Sequence, residues 1–304
     1  MKDLRIIFMG TPEFAVESLK ALVESKFNVV GVITAPDKPK GRGQKLAFSP
    51  VKEFAVTREI PVLQPANLKS PEFHKELNSY QPNLFVVVAF RMLPEIVWSM
   101  PEHGTFNLHA SLLPQYRGAA PINWAIINGE RETGVTTFFI KHEIDTGNII
   151  LQEKEPIHDN DNVGTLYERL MVKGANLVVK TVEAIRDDAY TLQEQLTAEC
   201  TRHAPKLFKE TCQIDWTKSS KEIYDFIRGL SPYPAAWTQF HDKTYKIYES
   251  EISSISLPRE PGDVMNAQDE IFVKTGDGSL KILDLQVEGK KRMKSADFLR
   301  GNKI

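Results

Sequence analysis

The run Leu84-Phe-Val-Val-Val-Ala-Phe90 places apolar side chains on both alternating sets of an extended chain. A strand wet on one face alternates apolar with polar residues, so a run apolar on both sets belongs in a sheet covered on both sides. Such sheets are built from parallel strands with helical crossovers, and the flanking sequence alternates to match. Leu4–Met9 is a short apolar run, Glu13–Glu24 carries a helical period, and Asn28–Thr34 is rich in Val and Ile. Ser49-Pro50 supplies the N-cap and first-turn residues of another helix. Further on, 118–129 reads as a helix, 134–140 as a Thr- and Phe-rich strand, and 165–187 as a long closing helix. The expected fold class is α/β, an open, mostly parallel Rossmann-like sheet.

The tail changes character. A looser, polar stretch follows Asp188, and beyond it one amphipathic helix over 219–228 gives way to short strands. Residues 236–241 and 243–249 read as a hairpin across Asp242-Lys243, and 271–275 with 280–285 as another across Gly276-Asp-Gly278. Such a run of short strands predicts a small OB-like β-barrel. The boundaries read from this are a first domain at 1–189, a linker at 190–205 and a second domain at 206–304. Trp216, Tyr233 and Trp237 are expected in the packing of that second domain.

The chain's 304 residues and its 41% hydrophobic content are enough for substantial cores without staples. A formal charge of −2 gives no overall pull toward nucleic acid, so a basic surface has to be local. Cys200 and Cys212 match neither a zinc pattern nor a redox CxxC, and no metal is expected. The apolar run after Met1 is too short for a signal peptide, and 84–90 is too short to span a bilayer. A cytoplasmic monomer without membrane attachment is the expectation.

Residues Ile6 to Phe14 have the strand, glycine, helix shape of a dinucleotide-binding opening. With Gly10 as the single glycine they lack the three that the fingerprint needs. Thr11 as N-cap and Pro12 at the first helical position account for the turn.

Gly104-Thr-Phe-Asn-Leu-His-Ala-Ser-Leu-Leu-Pro114 carries the chemistry. In an extended strand, residues two apart share a face, so Phe106, Leu108 and Ala110 line one side while Asn107 and His109 point together to the other. An amide donor can hold a carbonyl oxygen while an imidazole handles a proton near neutral pH. The same pair also fits a simple hydrogen-bonded strand end. Two neighbours favour catalysis. Ser111-Leu112-Leu113-Pro114 is an apolar turn expected to offer free backbone groups to a flat, partly polar ring system. Asp145, ahead of Thr146-Gly147, supplies a carboxylate at another strand end.

The run Asn107-Leu-His-Ala-Ser-Leu-Leu-Pro-Gln-Tyr-Arg-Gly-Ala-Ala-Pro-Ile-Asn-Trp124 resembles the signature of the formyltransferases that use 10-formyltetrahydrofolate. The likeness extends through Met9-Gly-Thr-Pro-Glu-Phe14, Gly41-Arg-Gly43, Ser49-Pro-Val-Lys52, Gly134-Val-Thr-Thr137 and Asp145-Thr-Gly147. It continues in Ala204-Pro-Lys206, Ile214-Asp-Trp216 and Ile227-Arg-Gly-Leu-Ser-Pro-Tyr-Pro-Ala-Ala-Trp237. The resemblance implies the formyltransferase fold and a catalytic trio of Asn107, His109 and Asp145. The implied reaction is attack of an amine on a formyl carbon through a tetrahedral intermediate, with no metal. Asn107 would donate to the oxyanion, His109 would stabilise it or move a proton, and Asp145 would orient the imidazole or relay the proton. Ser111, Leu112, Leu113 and Pro114 would line the folate site. Phe90-Arg91 stands where the family more often has Tyr-Gly, and Glu143 where it often has glycine.

The acceptor is suggested by 36–52, where Lys38, Lys40, Arg42, Lys45 and Lys52 face one acid, Asp37, in a loop made mobile by Gly41 and Gly43. By charge alone this is a solvated loop. The resemblance implies contact with the acceptor end of initiator methionyl-tRNA through Lys40, Arg42 and Lys45, with Arg42 at the key arginine, and a second domain that also binds tRNA. Residues 205–304 hold 16 Lys/Arg against 15 Asp/Glu, so composition adds little; Gly289-Lys-Lys-Arg-Met-Lys294 is the one dense cluster. Two alternatives stay open: a folate enzyme acting on a small amine or on water, and an RNA-binding protein with an inactive formyltransferase-like domain.

Overall fold

Leu84–Val88 is covered on both faces, as follows from the order of strands around it, and the strand stops there, with Ala89 exposed and Phe90 half-buried. In chain order β1 (Ile6–Gly10), α1 (Glu13–Glu24), β2 (Val29–Ile33), β3 (Lys38–Lys40), β4 (Lys45–Ala47) and α2 (Pro50–Thr57) come first. Then follow β5 (Val62–Leu63), α3 (Pro71–Ser79), β6 (Leu84–Val88), α4 (Glu95–Trp98), β7 (Thr105–His109), β8 (Arg117–Gly118) and α5 (Pro121–Ile127). Next are β9 (Glu132–Phe139), β10 (Ile149–Pro156), α6 (Val163–Asp187), β11 (His203–Ala204) and α7 (Ser220–Leu230). The chain ends with β12 (Ala236–Phe240), β13 (Lys243–Ser253), β14 (Val264–Ala267), β15 (Glu270–Lys274), β16 (Ser279–Val287), β17 (Met293–Lys294) and α8 (Ser295–Leu299). The computed structural model describes all residues except 41–44, 197, 199, 201, 256–257, 259, 268 and 303, and describes Lys40 and Lys45 by their backbones.

Two compact units result. The first holds Met1–Arg117, Gly134–Glu155 and Arg169–Arg202, and the second holds Gly118–Thr133, Pro156–Glu168 and His203–Ile304. A division at 189 and 206 follows chain order, whereas the units also exchange two inner segments. Residues read as linker, from 190 to 202, belong to the first unit.

In the first unit a seven-stranded sheet runs β10-β9-β7-β6-β1-β2-β5. β5, β2, β1, β6 and β7 are mutually parallel, and β9 runs antiparallel to β7. β1 and β6 are central and buried along their whole length, each fully buried Ile, Leu or Phe contributing about 1.5–3 kcal/mol. Gly10 is required by packing: a Cβ there would stand 2.6 Å from that of Ala15 in α1. Helix α1 begins one residue later than expected, with Pro12 at the N-cap and no side-chain cap, because Thr11 stays outside it. Ser49 caps α2 as expected, accepting from the Lys52 N–H, and Ser70-Pro71 repeats the device at α3. The 38–47 segment, expected as open loop, has strand arms: β3 pairs antiparallel with β4. The helix expected at 118–129 is confined to Pro121–Ile127.

The second unit carries an antiparallel sheet in the order β12-β13-β16-β15-β14, with β17 on β16. Both expected hairpins form. Its core gathers Ile223, Ile227, Leu230, Ile247, Ile271 and Leu285 around α7. Trp216 is buried and bonded through Nε1 to Thr238 at 2.9 Å, and Trp237 packs against the same core. Tyr233 does not join them; it is 82% exposed, because its neighbours Pro232 and Pro234 hold it in a surface turn. Among the described residues no helix is long and apolar enough to cross a membrane.

Candidate active site

β7 presents its two faces as alternation requires. Phe106 and Leu108 are buried on one side, where Gly174 of α6 lets the helix approach: a Cβ there would lie 2.7 Å from a Leu108 methyl. On the other side Asn107 stands level with Val87 of β6 and Phe138 of β9, and His109 level with Thr136. Asn107 is half-buried, and its side-chain amide has no hydrogen-bond partner among the described residues. A polar group so placed between Val87 and Phe138 is available to a ligand.

His109 is 7% exposed. Its Nε2 lies 2.8 Å from the Tyr116 carbonyl oxygen. A carbonyl can only accept, so Nε2 carries the proton and Nδ1 is the nitrogen left for chemistry. Nδ1 stands 3.9 Å from Oδ2 of Asp145. A neutral ring gains no direct bond across that distance, whereas a proton on Nδ1 gains the carboxylate's field. The arrangement therefore suits an imidazole that accepts a proton during a reaction and returns it.

Asp145 arrives from the β9–β10 connection, which folds back over the sheet: Gly147 lies against Phe138, and a Cβ at 147 would be 1.5 Å from the Phe139 carbonyl oxygen. Asp145 adopts φ 56°, a left-handed conformation that Asp tolerates better than most residues. The carboxylate thus reaches His109 through this fold-back rather than from a strand end alongside it.

Ser111, Leu112, Leu113 and Pro114 follow β7 directly, but their backbone is not free as expected. Thr136 Oγ1 donates to the Ser111 carbonyl (2.6 Å) and accepts from the Leu113 N–H (3.2 Å). Gln152 Nε2 donates to the Leu113 carbonyl at 2.8 Å, and Ser111 Oγ to the Gln115 carbonyl at 2.7 Å. A buried turn cannot leave such groups unpaired, so this segment is a rigid apolar wall. A cleft of about 640 Å³ is lined by 66–69 and 91–96, the segments after β5 and β6. Arg91 donates there to the carbonyls of Pro65 and Ala66, tying the loops after β5 and β6. None of Asn107, His109 and Asp145 lines that cleft.

Of the basic residues singled out at 36–52, Arg42 lies outside the described residues, as do the side chains of Lys40 and Lys45. Lys52 is engaged, donating to Asp37 and Gln64, and the bonds that Asp37 accepts from Lys52 and from the Gln64 amide hold its carboxyl below the usual range. In the second unit the 289–294 cluster is partly neutralised: Arg292 makes paired bonds to Asp284 at 2.9 and 3.0 Å, and Lys294 bonds Glu249 at 2.6 Å. Among the described residues no group of three or more His, Cys, Asp or Glu could hold a metal ion. The sequence reading missed Tyr116, Thr136, Gln152 and Gln195. Thr136 sits inside Gly134-Val-Thr-Thr137 and Tyr116 inside the Asn107–Trp124 run; Gln152 and Gln195 carry no local signal, since a lone amide gains its role from what folds against it.

The chain matches the family model described as formyl transferase over residues 4–182 and that of the formyl transferase C-terminal domain over 206–303. It is 53% identical over 313 aligned residues to a methionyl-tRNA formyltransferase of Bacteroides fragilis, covering 99% of this chain and 95% of that one. A solved N-formyltransferase from Helicobacter canadensis, in complex with folinic acid and dTDP-3-aminofucose, is similar in fold. Its TM-score is 0.68 at 23% identity, covering 95% of this chain and 100% of that one. A variant of HypX from Aquifex aeolicus is also similar, with a TM-score of 0.67 at 18% identity. There the match covers 99% of this chain and 49% of that chain.

Proposed function

We infer the reaction from one premise: the chain belongs to the methionyl-tRNA formyltransferase family. It transfers a formyl group from 10-formyltetrahydrofolate to the amino group of methionine on initiator methionyl-tRNA, giving N-formylmethionyl-tRNA. The α-amino group of the acceptor titrates near pH ~8, so its neutral, nucleophilic form is accessible. A bond forms between that nitrogen and the formyl carbon, the bond from the formyl carbon to the folate nitrogen breaks, and one proton passes from the amine to the departing nitrogen.

Asn107, His109 and Asp145 carry this chemistry. The half-buried, unpartnered Asn107 amide donates to the formyl oxygen as charge grows there, in a site where burial strengthens the bond. His109, with Nε2 committed to Tyr116, handles the amine proton at Nδ1, and the Asp145 carboxylate offsets the charge the ring acquires. The observation that carries the reading is this bracketing of one buried imidazole by a carbonyl and a carboxylate next to an amide without a partner. Ser111, Leu112, Leu113 and Pro114 form the wall against which the folate ring lies. Lys40, Arg42 and Lys45 contact the tRNA acceptor end, and the 206–304 domain adds further tRNA contacts. The protein acts as a monomer in the cytoplasm.

Tetrahydrofolate release tests the acceptor. It is expected with methionyl initiator tRNA and to be slow or absent with methionyl elongator tRNA, a small amine or no acceptor. Equal turnover without tRNA would place the chain among small-amine or hydrolytic folate enzymes. Binding of tRNA without turnover would mark an inactive RNA-binding relative.

A further inference from the structure

The polar stretch after α6 is chemically plain, yet its Gln195 bonds Asp145 and its Arg202 bonds Tyr116, the residue whose carbonyl holds His109. The position of the stretch is set by pairing: Gln193 and Ile149 exchange backbone hydrogen bonds of 2.8 and 3.0 Å at the start of the edge strand β10. In that antiparallel register Gln195 falls opposite Gly147. There its Nε2 donates to the carbonyls of Gly147 (2.7 Å) and Asp145 (3.1 Å), while its Oε1 accepts from Arg117 Nε (3.1 Å) and Nη2 (2.9 Å). Two donors and two acceptor sites are all used, which fixes the amide's orientation. Gln195 is only 7% exposed.

The second contact is at Arg202. Its carbonyl accepts the Tyr116 N–H at 2.7 Å, its N–H donates to Gln115 Oε1 at 3.1 Å, and its Nη1 donates to the Tyr116 hydroxyl at 3.1 Å. Tyr116 is the residue whose carbonyl holds His109. Tyr116 and Asp145 share one further property: each adopts a positive φ, 60° and 56°. Such conformations persist in non-glycine residues where the surroundings over-determine them. For Asp145, the carbonyls at 145 and 147 on Gln195 limit rotation of the peptide that aims its side chain.

We propose that Gln195, anchored by Arg117, is a positioning residue that sets the Asp145 carboxylate against His109. The proposal rests on the reading of Asn107, His109 and Asp145 as the catalytic groups.

Gln195→Met keeps length and loses all four bonds. In full-length protein it is expected to lower kcat about 10²-fold, the scale of a displacement of roughly 1 Å in a catalytic group. KM for the folate and the Kd for initiator tRNA should stay within about twofold, and Tm within a few degrees. In an Asp145→Asn background the same change should cost less than about twofold, since a positioning residue has nothing left to position. An unchanged kcat in Gln195→Met, a parallel loss of KM, Kd and Tm, or full additivity with Asp145→Asn each overturns the proposal. If Gln195→Met does not fold, Arg117→Met makes the same comparison: a smaller loss that is non-additive with Asp145→Asn is expected, and additivity overturns it. A wild-type rate in Asp145→Asn alone sinks the catalytic reading and the proposal with it. A slow Asp145→Asn beside a normal Gln195→Met sinks only the proposal.

Discussion

His109 has one nitrogen given to a backbone carbonyl, and that bond decides what the ring can do. With Nε2 donating, Nδ1 is the nitrogen left to accept a proton, and Asp145 Oδ2 lies 3.9 Å from it. Removing the ring or the charge should therefore act on the chemical step. His109→Ala and Asp145→Asn are each expected to lower kcat by about 10²–10⁴-fold, with initiator tRNA binding retained in a filter assay. Asn107→Ala should cost about 10²–10³-fold, the scale of one lost oxyanion donor. A wild-type rate in Asp145→Asn would remove the proton-handling role while leaving Asn107 untouched.

Among the elements, α7 shows how local chemistry anchors a unit. Ser219 and Glu222 form a reciprocal capping box at its first turn. Asp277, from the β15–β16 turn, accepts the Ser220 N–H at 2.7 Å. These bonds hold the carboxyls of Asp277 and Glu222 below their ordinary range, through the Ser220 backbone and the Ser219 hydroxyl respectively. A carboxyl whose folded pKa is depressed stabilises the fold above its unfolded value, near ~4, and loses that contribution as pH falls through the folded value. Ser219→Ala is expected to cost about 1 kcal/mol at pH 7 by urea unfolding. The destabilisation caused by Asp277→Asn should shrink steadily in the same experiment as pH is taken below ~4. A constant difference across that range would contradict the assigned bonds. β7 makes the complementary point, since a slip of one residue would turn Asn107 and His109 toward α6 and Leu108 into the site.

At the scale of the molecule, a chain of net charge −2 that binds a polyanion relies on local cations. Several obvious candidates are already committed: Lys52 to Asp37, Arg292 to Asp284 and Lys294 to Glu249. We propose that the electrostatic work falls to residues such as Arg42. Arg42→Ala should weaken tRNA binding and reduce the slope of log affinity against log salt by about 0.7–0.9, one phosphate contact. An unchanged slope would make the basic 36–52 segment a bystander.

Much of this was legible in the chain. The doubly apolar run from Leu84 pointed to a covered parallel sheet, Ser49-Pro50 marked a helix start, and alternation placed Asn107 and His109 on one face. These depend on neighbours in sequence, where backbone geometry is fixed in advance. The partition of the chain into units, the engagement of the 111–114 backbone by Thr136 and Gln152, and the fold-back that carries Asp145 to His109 were not legible. Neither were the bonds that Gln195 makes to Asp145, Gly147 and Arg117, from a stretch that composition presents as a linker. Hydrogen bonds between segments tens of residues apart leave no local pattern, because a carbonyl or a glutamine amide looks the same in sequence whether it faces water or a catalytic ring. Which groups can react was written in residue types; their mutual orientation arose only when separate segments packed and every buried donor had to find an acceptor.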